Sequence, residues 1–135
     1  MIRPSFSIRL WLAVGAFYGM LAVILSALTS HLPAAYFVND GREMTRVADT
    51  ILAIQSLALM IVSILQKFYQ CSIHLNIVAI AFMIGTLFFC VGVFYIACTG
   101  NHPPLPIAPI GGSILIGGWF YLTITAFLLK TNVTM

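Results

Sequence analysis

The chain has 135 residues, 61% of them hydrophobic and 7% charged, with a formal net charge of +3. Its mean hydropathy is +1.08. Ordinary soluble domains are about 25% charged, so this composition excludes a water-soluble globular enzyme, a disordered tail and a nucleic-acid binder with a basic face.

The charged side chains are Arg3, Arg9, Asp40, Arg42, Glu43, Arg46, Asp49, Lys67 and Lys130. They leave three uncharged runs, residues 10–39, 50–66 and 68–129. A hydrocarbon core about 30 Å thick needs about 20 apolar residues per helix. The first run accommodates one span and a tail, and the second accommodates one if it starts near Val47 or Ala48. The third is too long for one span and breaks at Thr99-Gly100-Asn101-His102-Pro103-Pro104-Leu105-Pro106, with Pro109 beyond. Proline and glycine end helices, so this segment is expected to be a turn at the water interface.

The predicted architecture is an all-α integral membrane protein, a single four-transmembrane-helix bundle with helices near residues 10–29, 47–66, 73–98 and 110–129. Helices are required because hydrocarbon cannot satisfy open backbone groups, and nothing alternates with the period of two of a barrel strand. The first run is too long for the apolar region of a cleaved signal peptide. Four helices place both termini on the side of Lys67. That side holds Arg3, Arg9, Lys67 and Lys130, against Arg42 and Arg46 opposite. The excess of basic residues predicts cytoplasmic termini. On that orientation the glycosylation triplet Asn132-Val133-Thr134 is cytoplasmic and idle.

Helices in lipid associate through close packing of small residues. Helix one carries Gly15, Gly19, Ala22, Ser26 and Ser30 on one face. Helix three has Gly85 and Gly92 seven apart, and helix four has Gly111 and Gly118 at the same step. These are expected to be packing seams within the chain. Trp11, Phe68, Tyr69 and Tyr95 fall near predicted helix ends, where aromatic belts form. Trp119 and Tyr121 fall deeper, at an interhelical gap or a partner contact. Cys71, Cys90 and Cys98 fit no metal or disulfide framework and read as small buried apolar residues. Cys90 and Cys98, on one helix about 12 Å apart, cannot bridge.

No charged residue falls in the middle of a predicted span, which argues against proton-coupled transport. Asp49 comes nearest, at the outer edge of helix two, in a solvated or capping role. The polar groups within the spans are Gln55, Ser56, Ser63, Asn76 and Thr86. They suit interhelical hydrogen bonds, with Gln55 and Ser56 as candidate ligand contacts. His31 and His102 share the outer side, where they could approach one ion or quinone head group, while His74 lies inside. No histidine pair has the placement of a b-type haem site, and no nucleotide-binding, zinc-protease or nucleophile motif is present. No cofactor or metal is implied.

Gly92-Val93-Phe94-Tyr95, Cys98-Thr99-Gly100, Ala108-Pro109-Ile110-Gly111-Gly112 and Gly118-Trp119 resemble the YgdD-like family of small inner-membrane proteins, domain-of-unknown-function family 423. Gly15-Ala16-Phe17-Tyr18-Gly19 and the closing His31 resemble its glycine-rich start and Ala-His end. The resemblance implies four transmembrane helices and no established reaction. Two elements depart from its pattern. Gln55 stands at the family's helix-two histidine, before Ser56-Leu57-Ala58-Leu59, and Ser26-Ala27-Leu28-Thr29-Ser30-His31 replaces its Gly-Ala-Phe-Gly-Ala-His element.

The expected function is that of a non-enzymatic accessory or scaffolding subunit of a larger membrane complex. Its partners would be the lipid bilayer and other membrane subunits or a second copy, and not nucleic acid. A bacterial or organellar inner membrane is the expected location. Two alternatives are a transporter or channel for a small neutral or lipophilic solute, using Gln55, Ser56 and Thr86, and a quinone-associated redox protein, using His31, His102 and Tyr95. Outside the bilayer, partner contacts are expected at the proline turn and around Asp40-Gly41-Arg42-Glu43.

Overall fold

A computed structural model describes residues 6–69 and 73–129. Arg3, Lys130, Cys71 and the Asn132 triplet lie outside them. Four long helices run in chain order, α1 (Phe6–His31), α2 (Gly41–Phe68), α3 (Ile73–Thr99) and α4 (Ile107–Leu128), with one 3-10 turn at Ala34–Tyr36. Each is long and apolar enough to cross a membrane, and no strand occurs among the described residues. The fold is an all-α four-helix transmembrane bundle.

Packing follows chain order. α1 packs on α2, α2 on α3 and α3 on α4, while α1 only grazes α3. The bundle is therefore open rather than closed by an α1–α4 contact. In α2 the buried residues include Gly41, Thr45, Ala48, Leu52, Gln55, Leu59, Val62 and Gln66. Their alternating steps of four and three are those of a coiled-coil seam. This seam faces α3, where Val38 N–H donates to Ala97 O and Gln66 Nε2 donates to Asn76 Oδ1. A second stripe, Ser56 and Ser63, faces α1. Ser56 Oγ donates to Gly15 O and Ser63 Oγ to Ile8 O, both at 2.8 Å.

Small residues set these distances. A Cβ on Gly15 would stand 2.8 Å from Met60 Cγ, and one on Gly19 would stand 2.9 Å from Ser56 Oγ. Between α3 and α4, a Cβ on Gly92 would meet the Ala108 nitrogen at 2.6 Å, and one on Gly85 would meet Leu115 at 2.9 Å. Gly111 lies against the Phe89 nitrogen and the Gly85 carbonyl, and Gly118 against the Phe82 ring. Ser26 departs from the expected stripe. It is exposed, and burial along α1 passes from Ala22 to Thr29. The packed face of α1 runs through Tyr18, Ala22, Leu25 and Thr29, and Ser26 falls one position off it.

Helix limits also move, α1 to Phe6–His31 and α4 to Ile107–Leu128. α2 begins at Gly41, six residues before Val47. Its extra turns stand beyond the hydrocarbon, where Arg46 and Glu43 form an exposed ion pair at 2.7 Å. Pro109 lies inside α4, not beyond the turn, because the first helical turn needs no donor from it. α3 ends one residue beyond the expected limit, at Thr99. Gly100, at φ +69°, reverses the chain, and its N–H donates to Ile96 O at 2.8 Å.

Trp11 does not sit in an interfacial belt. It is buried in the core, linking α1 to α3. Trp119 packs against Phe82 with its ring tilted by 43° and centroids 4.9 Å apart, and Tyr121 OH lies 2.7 Å from His74 Nδ1. Both therefore bridge α3 and α4. Cys98 is exposed rather than buried, while Cys90 is partly buried, and both are free.

Candidate functional site

α1 and α3 both lean on α2, yet they meet each other chiefly toward the end carrying the chain termini. There Trp11 Nε1 donates to Asn76 Oδ1 at 2.6 Å, and Tyr18 OH donates to Met83 O at 2.8 Å. Toward the opposite, loop end they separate. The resulting cleft measures about 450 Å³, within the range of about 300–1,000 Å³ typical of small-molecule pockets. Tyr18, Leu21, Ile24, Leu25 and Leu28 of α1 form one wall. Thr86, Leu87, Cys90, Val91, Phe94 and Tyr95 of α3 form the other, with Leu52 of α2 as the floor.

Polar lining atoms are few, and the backbone engages them. Thr86 Oγ1 donates to Phe82 O at 2.6 Å, and Cys90 Sγ lies 3.5 Å from Ala48 O. The space is walled by hydrocarbon and opens sideways between two membrane-spanning helices.

Asp49, one turn before Leu52 on α2, does not itself line the cleft. It stands three residues before Leu52 and one full heptad before Ser56, on the α1-facing side of α2. Asp49 Oδ1 is buried and has no hydrogen-bond partner. Asp49 stands three residues beyond Arg46, whose exposed ion pair with Glu43 occupies the charged first turns of α2.

The other candidate residues do not converge. Gln55 is buried on the seam toward α3, with its Oε1 unpartnered. Ser56 lies on the adjoining stripe, bonded to Gly15. Gln55, Ser56 and Thr86 therefore do not line one path, and only Thr86 borders the cleft. His31 closes α1 and His102 lies in the linker before α4. Both are exposed at the loop end. His102 borders a recess of about 210 Å³ among Pro103, Pro104 and Pro106, which His31 does not line. Among the described residues, no three His, Cys, Asp or Glu side chains gather as a metal site.

The motifs that carry the family resemblance occupy packing positions. Gly92 meets Ala108, Gly100 meets Val38 and Gly111 meets the α3 backbone. No curated protein and no solved structure matches the chain. The family model described as a protein of unknown function (DUF423) matches residues 25–112, from the last part of α1 into the first turns of α4. Gly118-Trp119 lies beyond the match, while the other C-terminal motifs fall within it. Since the match covers well over half of the sequence, the chain belongs to this family of unknown function, DUF423.

Proposed function

We propose that this protein is a non-enzymatic accessory or scaffolding subunit of a larger membrane complex. We place it in a bacterial or organellar inner membrane with both termini cytoplasmic. The exposed face of α4 carries this reading. α4 packs substantially only against α3. Its far side presents Ile116, Phe120 and Phe127, at 73%, 67% and 88% exposure. A methyl group added to Gly117 beside them would meet nothing within 4 Å. A flat, small-residue opening between large apolar side chains allows a neighbouring helix to approach closely. The orientation is supported by the excess of basic residues on the terminal side.

The test is mild solubilisation, a native gel and detection of the chain, with a photo-crosslinking residue at Ile116. The expected result is a species larger than the monomer and a crosslink to another membrane chain or a second copy. Migration only as a bare monomer, with no crosslink, overturns the subunit reading.

A further inference from the structure

We propose that the cleft between α1 and α3 holds one acyl chain of a bilayer phospholipid, whose head group stands at the loop end of the bundle. This goes beyond the subunit reading, which rests on the far face of α4, and does not depend on it.

The length of the cleft points to such a chain. Its inner end lies at Tyr18 and Thr86, the middle of α1 and of α3. Its outer end lies at Leu28 and Tyr95, near the loop ends of both helices. The Tyr18 hydroxyl, donating to Met83 O, closes the inner end. Ten residues of α1 cover about 15 Å. Half of a hydrocarbon core about 30 Å thick is the same distance. An acyl chain runs over that half, from the head-group layer to the middle of the bilayer.

The width excludes a helix. Spread over about 15 Å, a volume of about 450 Å³ leaves a mean cross-section of about 30 Å². A helix with its side chains is about 10–12 Å across and fills about 80–110 Å². A single hydrocarbon chain is narrow enough. The walls suit one as well, because the Thr86 hydroxyl and the Cys90 thiol are turned to backbone carbonyls. Among the described residues no charged side chain lines the cleft, so the chain is recognised and not the head group. Burial from water does not favour the cleft over the bilayer, since both are hydrocarbon. Contact does. A chain in the cleft touches α1, α2 and α3 together, where a chain on an outer helix face touches one helix, and each added atom pair gains dispersion energy.

The test uses the full chain in phosphatidylcholine nanodiscs, one chain per disc, doped with a phosphatidylcholine that carries a diazirine in one acyl chain. After irradiation, labelled residues are mapped by peptide mass spectrometry. The expected result is labelling of Leu52, which is buried at the cleft floor, as well as of Val23, which is exposed on α1 outside the cleft. Leu28→Trp and Val91→Trp each fill the cleft from one wall. They should abolish the labelling of Leu52 and leave that of Val23 unchanged. Both positions are exposed, so helical content should be unaltered, and either variant serves if the other does not fold. Labelling confined to exposed positions, or labelling of Leu52 that survives the substitutions, overturns the proposal. So does labelling of Leu52 by a diazirine fatty acid but not by the phospholipid. Loss of Leu52 labelling in discs that hold two chains assigns the cleft to a second copy and also overturns it. The primary readout uses single chains, so it is distinct from failure to find a larger complex.

Discussion

Trp11 Nε1 donates to Asn76 Oδ1 at 2.6 Å, joining two helices that meet over a small area, with Tyr18 OH to Met83 O as their second hydrogen bond. The same Asn76 oxygen accepts from Gln66 Nε2 at 3.3 Å, so one side chain joins α1, α2 and α3. This junction holds α1 against α3 on one side of the cleft and leaves them free to separate on the other.

Asn76→Leu should therefore destabilise the protein by about 1–3 kcal/mol, because it leaves two donors unpartnered. Trp11→Phe keeps most of the apolar contact and removes one bond. It should cost less, about 0.6 kcal/mol, the average for a hydrogen bond within a membrane bundle. Reversible unfolding in mixed micelles checks both, and equal effects would show that the indole N–H carries the junction alone.

Gly111→Ala should separate α4 from α3. Its new methyl group would meet the Phe89 nitrogen and the Gly85 carbonyl, neither of which can rotate away. Overpacking of this kind costs about 1–3 kcal/mol. Gly117→Ala is the matched control, since that methyl group enters open space. Thermal unfolding in detergent should show a lower Tm for the first variant and no loss for the second.

Gly100→Ala should strain the turn that ends α3. A left-handed residue other than glycine costs about 1–2 kcal/mol, and here the new Cβ would also stand 2.8 Å from Val38 Cγ1. Val38 N–H donates to Ala97 O, so the strain reaches the loop over residues 32–40. Limited proteolysis should cut that loop faster in Gly100→Ala than in the parent chain. Gly100→Asn should be intermediate, since asparagine tolerates the backbone conformation but not the contact.

Cys98 provides a test of orientation. It is exposed in the last turn of α3, while Cys90 is partly buried beside the cleft. In a Cys71→Ser, Cys90→Ser background, an impermeant maleimide added to intact cells should label Cys98 if the termini are cytoplasmic. Labelling only after permeabilisation would reverse the assignment.

The four spans are legible in the sequence because lipid demands about 20 apolar residues per crossing, and charge and proline gather where those runs break. The seams at Gly15, Gly85, Gly92, Gly111 and Gly118 are legible because a helix repeats its face every three to four residues. The exposure of Ser26 is not, because the spacing of small residues does not show that the packed face of α1 runs through Leu25 and Thr29 instead. The burial of Trp11 is not, because nearness to a helix end does not distinguish a lipid-facing ring from one aimed at a polar side chain on another helix. The start of α2 at Gly41 is not, because a helix can continue through charged turns outside the bilayer.

The sequence by itself determined the crossings, the break between α3 and α4 and the small-residue faces, since these follow from chain-local chemistry and the thickness of lipid. The tertiary structure decided the open order of the helices and the cleft between α1 and α3. Those depend on where two helices sharing a third neighbour touch and where they part, a relation between distant segments that no local spacing encodes.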